Sequence, residues 1–335
     1  MDRGAGHVPP PVASSARALQ RSCGAASDRR ARQRSRLPDL RRPLARGEPP
    51  GARGPALFLQ RRVRAPRRVT HPDAYREIDR SADPAAVVAS LEVRGRDPGQ
   101  RRLRRRFLRA IPIRRRDTVL EVGCGTGVVL RDLVPLVGRG GRLAGVDPSR
   151  AVLAAARRLC RGTGITLRLA DGAKLPFTGD GFDVTLAVTV MLHVPDPIAV
   201  AREMARVTRP GGRVAVQDQD FGTLALTHPD RALTARILDG VVSHMYEEPH
   251  SGRRLPAVLR AAGLEQVRLR TEVYQETELK PYTRTFLERR AANAVRFGIV
   301  DAAAAQRWLD GITAVAEAGT FVFTINYYGA VGVKP

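Results

Sequence analysis

The chain has 335 residues, enough for one large α/β domain with an appendage or for two modest domains, and its 43% apolar content is that of a globular protein. No uninterrupted apolar run approaches the roughly 18 to 20 residues of a membrane span, and no signal-peptide core follows Met1, so a soluble, cytoplasmic protein is expected. Three scattered cysteines, Cys23, Cys124 and Cys160, exclude a disulfide framework or a CxxC metal site and fit a reducing compartment.

The formal charge of +24 is unevenly placed, since residues 1–69 carry 17 arginines against four acids. Lysine occurs only at Lys174, Lys280 and Lys334, a skew that resembles GC-rich codon usage more than selection for nucleic-acid contacts. Residues 1–69 are Arg-, Pro-, Gly- and Ala-rich and lack the apolar periodicity to offset an ordering entropy of roughly 1 to 2 kcal/mol per residue, so disorder is expected. A transit peptide, a nucleic-acid-binding arm and sequence translated upstream of the native start are the competing functional readings of this extension. Dispensable or non-native sequence is the reading preferred.

From His71 the texture changes. Residues 70–116 read as a helical segment, with short helices over Asp73–Ile78 and Pro84–Leu91 and a basic helix over Gln100–Ile111 that sets Leu103, Phe107, Leu108 and Ile111 along one side. From Asp117, short apolar runs of the kind buried in parallel sheets (Thr118–Val122, Arg142–Val146, Ile165–Leu169, Phe182–Val188 and Arg213–Gln217) alternate with helix-like stretches. Ser149 is placed to cap one helix and Asp196-Pro197 to open another. Such alternation predicts βαβ units in a doubly wound sheet. Later, Arg254–Ala262 is amphipathic and stopped by Gly263, while Val267–Val273 and Phe321–Tyr328 alternate with period two, which predicts a reversed last strand. Two stretches, about 221–250 and 277–318, read as substrate-facing insertions into the 117–335 domain, the second carrying helices over Tyr282–Phe297 and Ala302–Ala318.

The informative stretch is Val119-Leu120-Glu121-Val122-Gly123-Cys124-Gly125-Thr126-Gly127, a buried strand that runs directly into a glycine-rich turn and then a helix. Glycines there let the backbone approach a ligand, and the helix N-terminus offers free N–H donors, so a nucleotide-like ligand is implied. The dehydrogenase pattern G-x-G-x-x-G would place its third small residue at Val128, whereas the glycines stand at Gly123, Gly125 and Gly127 behind an acid, Glu121. Asp147, closing the second strand ahead of Pro148, is positioned as the carboxylate that accepts both ribose hydroxyls in nucleotide folds. Asp171-Gly172-Ala173 ends the third strand, and Arg206-Val207-Thr208-Arg209-Pro210-Gly211-Gly212 precedes the fifth.

The pattern E-x-G-x-G-x-G, with the acids that follow it in order, resembles the class I S-adenosylmethionine-dependent methyltransferases, most closely the broad group that includes menaquinone and ubiquinone C-methyltransferases. The resemblance spans about residues 71–335 and is best over 117–220. It implies a Rossmann-like seven-stranded α/β sheet, mostly parallel with a reversed last strand and a helical insertion near the C-terminus. It also implies S-adenosylmethionine as cofactor, bound by Glu121, Gly123, Cys124, Gly125, Gly127, Asp147, Pro148, Asp171, Gly172, Ala173 and Val188, with Asp171 accepting from the adenine amino group. Relatives often carry a polar residue near Val188, which here offers only its backbone. Tyr75 is a candidate to cover the cofactor.

The reaction so implied is direct displacement, which needs alignment of the acceptor and, for some nucleophiles, removal of a proton. His193, just past the fourth strand, is the candidate base, against packing at a turn as the alternative. Asp218 and Asp220, at the carboxyl edge of the fifth strand, are candidates to hydrogen-bond the acceptor. His244, Tyr246 and His250 are weaker candidates to line the pocket. No metal is expected, because the six histidines form no H-x-x-x-H pair. A small-molecule acceptor is favoured over nucleic acid, since Val188-Thr189-Val190-Met191 stands where base-amine methyltransferases carry an N-P-P-Y-like motif. A nicotinamide-dependent oxidoreductase and a non-catalytic binding module are the further alternatives.

Overall fold

The computed structural model describes residues 78–80 and 83–335, all within one compact unit, Val63–Pro335. The extension over 1–69, Tyr75 and most of the helix expected over Asp73–Ile78 lie outside the described residues.

Two helices precede the sheet, α1 (Pro84–Arg96) and α2 (Pro98–Ala110), each started by the same device. An aspartate, Asp83 or Asp97, accepts from a backbone N–H of the first turn, and a proline follows at a position where its missing N–H costs nothing. Leu103, Phe107, Leu108 and Ile111 are all buried, as their spacing predicts. A short 3-10 turn, Ile78–Arg80, places Asp79 over the start of a later helix, where its carboxylate accepts from Ser149 Oγ at 2.6 Å and from the N–H groups of Arg150 and Ala151.

Seven strands follow: β1 (Thr118–Val122), β2 (Arg142–Asp147), β3 (Thr166–Leu169), β4 (Phe182–Val188), β5 (Thr208–Leu226), β6 (Glu265–Glu276) and β7 (Phe323–Val333). They form one sheet in the order β3-β2-β1-β4-β5-β7-β6. Strands β1 to β5 pair in parallel, and β7 runs antiparallel to both β5 and β6, so the reversed strand is the last in the chain. The strand expected over Arg213–Gln217 is the middle of the much longer β5, because β7 continues to pair with it past the parallel part of the sheet.

Alternation along the central strands divides the apolar residues between two layers. Leu120, Ala187, Val214 and Val216 face α5 (Pro197–Val207) and α7 (Ser251–Ala261), while Val119, Val184, Leu186 and Ala215 face α2, α3 (Val128–Val137) and α4 (Arg150–Leu159). Both faces are therefore covered, which is why these strands read as continuous apolar runs. A third cluster is built by α6 (Arg231–Met245), α8 (Pro281–Arg296) and α9 (Ala302–Glu317) around the fully buried Trp308, whose indole N–H donates to Thr234 Oγ1 at 3.0 Å. These helices come from the two expected insertions and pack at the end of the sheet where β1 and β4 terminate.

Candidate functional site

A cavity of about 500 Å³ opens at the carboxyl ends of β1, β2 and β4 and continues beneath α1, α6 and α8. One half is built by the loop after β1. Gly123 has φ +68°, and a Cβ placed on it would meet Val190 Cγ2 at 2.5 Å. Gly127 has φ +78°, caps α3, and a Cβ there would meet Cys160 Sγ at 2.6 Å. Only glycine meets both demands, the left-handed backbone and the missing volume. Gly127 lacks a side chain to cap the helix, and the Glu121 carboxyl takes the Leu130 N–H of the first turn of α3.

The carboxylates expected around this turn are brought together. Asp147 Oδ2 accepts from Gly125 N–H at 2.9 Å and Oδ1 from Ser149 N–H at 3.0 Å, so the end of β2 holds the turn in place. Burial pushes the Asp147 carboxyl up, opposed by those two backbone bonds. Glu121 is buried beside it, and its Oε2 has no hydrogen-bond partner among the described residues. Burial first, and the neighbouring Asp147 charge second, push the Glu121 carboxyl well up. Asp171 stands exposed at the rim and fixes its own turn by accepting from Ala173 N–H at 2.8 Å. Pro148, Gly172, Ala173, Cys124 and Val188 also line the cavity, whereas Gly127 lies behind it and acts through the backbone of α3.

Helix α1 is clamped over the turn. Glu92 accepts from Thr126 Oγ1 at 2.6 Å and from Arg131, and Arg94 reaches Thr189 Oγ1 at 3.0 Å, Gln100 Oε1 at 3.4 Å and the Tyr327 hydroxyl at 3.4 Å. Thr189, at φ +56°, is a non-glycine residue in the left-handed region directly after β4. It donates its hydroxyl to Val188 O at 2.7 Å and accepts from Arg94. Neither Arg94 nor Thr189 stands in a recognisable motif.

His193 lines the cavity from the turn Met191–His193, its ring 5.5 Å from that of Tyr246. Asp218 and Asp220 do not line it. Their strand presents Gln217 and Gln219 to the cavity, and the alternation of β5 turns the two aspartates to the α7 side, where both are wholly buried. Asp220 is engaged by Arg253, by His250 at 3.2 Å and by Gly222 N–H. Asp218 Oδ2 accepts from Leu192 N–H and Ser251 Oγ, each at 2.9 Å. Of the weaker candidates, Tyr246 lines the cavity, while His244 stacks on Phe297 and bonds Gly240 O. Among the described residues no group of side chains could hold a metal ion, and no helix is long and apolar enough to cross a membrane.

Asp218 has a measurable consequence. Burial raises its carboxyl from an ordinary 3.8 to about 7, partly opposed by the His193 charge. Between these values the folded chain holds a proton that the unfolded chain has released, so stability falls as pH rises from about 4 to about 7. Asp218→Asn is expected to remove up to about 1.4 kcal/mol per pH unit of that slope. Glu121 and Asp147 are shifted in the same direction and keep the remainder. Urea unfolding of both proteins at pH 4.5, 6 and 7.5 measures it, and identical slopes would refute the assignment to Asp218.

Residues 120–216 match the methyltransferase domain family. The nocamycin O-methyltransferase of Saccharothrix syringae is 32% identical over 202 residues, a match covering 52% of this chain and 68% of that protein. The chain belongs to the class I S-adenosylmethionine-dependent methyltransferases. A 37.1 kDa protein in transposon TN4556 of Streptomyces fradiae is 31% identical over 232 residues, and the methyltransferase spans 67% of itself and 65% of that relative, less than two thirds of its length. In fold it is similar to a Haemonchus contortus phosphoethanolamine N-methyltransferase 2 solved with S-adenosylhomocysteine, with TM-score 0.52, 17% identity, and coverage of 78% of this chain and 60% of that one. The site of this methyltransferase fits its cofactor on its own terms. A turn in which Gly123 and Gly127 leave no room for a Cβ, and a buried Glu121 carboxyl oxygen without a partner among the described residues, suit a ligand that brings a hydrogen-bond donor close to the backbone.

Proposed function

We propose that this methyltransferase transfers a methyl group from S-adenosylmethionine to a small-molecule acceptor held between the sheet and α6 and α8. The observation that carries this reading is the continuity of one cavity from the glycine turn to an aromatic second half formed by Tyr246, Tyr282, Phe286 and Tyr327. A cavity of about 500 Å³ suits a small molecule. The nocamycin O-methyltransferase relative supports the same class of acceptor.

Asp147 would hold the ribose hydroxyls, Asp171 the adenine amino group, and the turn Gly123–Gly127 would pack against the amino-acid portion. When bound, S-adenosylmethionine supplies a methyl group activated by its positive sulfur. The chain's own contribution is to align the acceptor, to exclude water beneath α1 and α8, and to accept a proton at the His193 imidazole. Asp218, one layer beneath, interacts electrostatically with His193 and would stabilise the imidazolium as it forms. A cytoplasmic location accords with Cys124 and Cys160, which are buried and unlinked.

Titration calorimetry tests the reading. Micromolar binding of S-adenosylmethionine or S-adenosylhomocysteine with none for NAD is expected, and binding of NAD alone would overturn it. Labelled methyl donor incubated with cell extract would then report the acceptor.

A further inference from the structure

The acceptor half of the cavity contains a charge that no described side chain neutralises. Arg290, on α8, lines the cavity yet is only 3% exposed. Three aromatic rings surround its guanidinium, Phe286 at 4.6 Å, Phe221 at 4.8 Å and Tyr246 at 5.3 Å. Its hydrogen bonds go to the Tyr246 hydroxyl at 2.9 Å and to Met245 Sδ at 3.4 Å, a neutral oxygen and a weak thioether acceptor. Among the described residues no carboxylate forms an ion pair with it.

A guanidinium cannot shed its charge within a protein, and burial without an anionic partner is expensive. The aromatic rings offset part of that cost through their negative faces, but they accept none of its N–H groups in line. Two acceptors serve a fork of five donors, and the remaining donors belong to a residue on the cavity wall. The carboxylates that line the cavity, Glu121, Asp147, Asp171 and Asp196, form no hydrogen bond or ion pair with Arg290.

We infer that the methyl acceptor carries a carboxylate that pairs with Arg290, on an apolar or aromatic body that packs against Phe286 and Tyr246. The fork geometry matches the two oxygens of a planar carboxylate, and the surrounding rings exclude the water that would otherwise weaken the pair. This inference rests on the proposed acceptor site, and it narrows the substrate class from any small molecule to an organic acid.

The test uses 1-naphthoate, 1-naphthamide and 1-naphthyl phosphate as probes of one shape, titrated into the full-length protein with and without S-adenosylhomocysteine. The expected result is that naphthoate binds at least tenfold more tightly than naphthamide. Arg290→Gln should bring the ratio of the two affinities to about one, and Arg290→Lys should restore it in part, because lysine keeps the charge without the fork. Equal binding of naphthoate and naphthamide, or binding of neither, overturns the inference. Tighter binding of the phosphate than of the carboxylate overturns the choice of carboxylate. The wild-type comparison stands even if the variants fail to fold. Failure of S-adenosylhomocysteine to bind would count against the cofactor reading, whereas its binding alongside equal naphthoate and naphthamide affinities would count against Arg290 alone.

Discussion

His193→Gln is expected to lower kcat by roughly 10²- to 10⁴-fold while leaving the affinity for S-adenosylhomocysteine unchanged, the range typical of removing a general base. The imidazole lines the cavity beside Tyr246 and lies within electrostatic reach of the buried Asp218 carboxyl. Glutamine keeps much of the volume and the hydrogen-bonding capacity but cannot accept a proton near neutral pH. A packing role for His193 predicts a different result, a lower unfolding midpoint with kcat intact. The pH–rate profile separates the two further, because a base leaves an acidic limb in the wild type that the variant lacks. A variant with wild-type kcat and an unchanged profile would end the assignment.

Asp147→Ala is expected to weaken cofactor binding by about 1 to 3 kcal/mol, roughly 5- to 150-fold in Kd, through lost charge-assisted hydrogen bonds. Part of that loss arises within the protein, since Asp147 also fixes Gly125 and Ser149 by accepting their backbone N–H groups. Asp147→Asn distinguishes the contributions. The amide oxygen can still hold one backbone N–H, so the glycine turn is largely kept while the charge toward the ribose is removed. Calorimetric titration with S-adenosylhomocysteine reads the affinity, and unchanged affinity in the alanine variant would show that the ribose is held elsewhere.

The central strands β1, β2 and β4 were legible because they are largely buried and end at or near glycine or proline. Ser149 and Asp196 could be recognised as helix caps from their own chemistry, and both serve as such. The polar run Gln217-Asp218-Gln219-Asp220 shows where such reading stops. All four residues are buried, so no exposed position marks the solvent side. The apolar Val214 and Val216 set the phase that puts Asp218 and Asp220 together, but only the packing of α7 on that face reveals that the cavity lies on the other. Arg290 was equally hidden, one arginine among many in the sequence, distinguished only by three rings drawn from β5, the segment after α6 and its own helix.

The sequence by itself determined the order of strands and helices, the glycine turn and the two acids that follow it. These depend on contacts between residues close along the chain, on backbone conformations only glycine adopts, and on apolar periodicity. Which polar side chains meet in the cavity was decided by tertiary structure alone. Thr189, Arg94 and Tyr327 lie far apart in sequence and become neighbours only when α1 closes over β4 and β7. Long-range proximity leaves no periodic trace, because a polar residue turned inward toward a ligand and one turned outward to water obey the same local pattern.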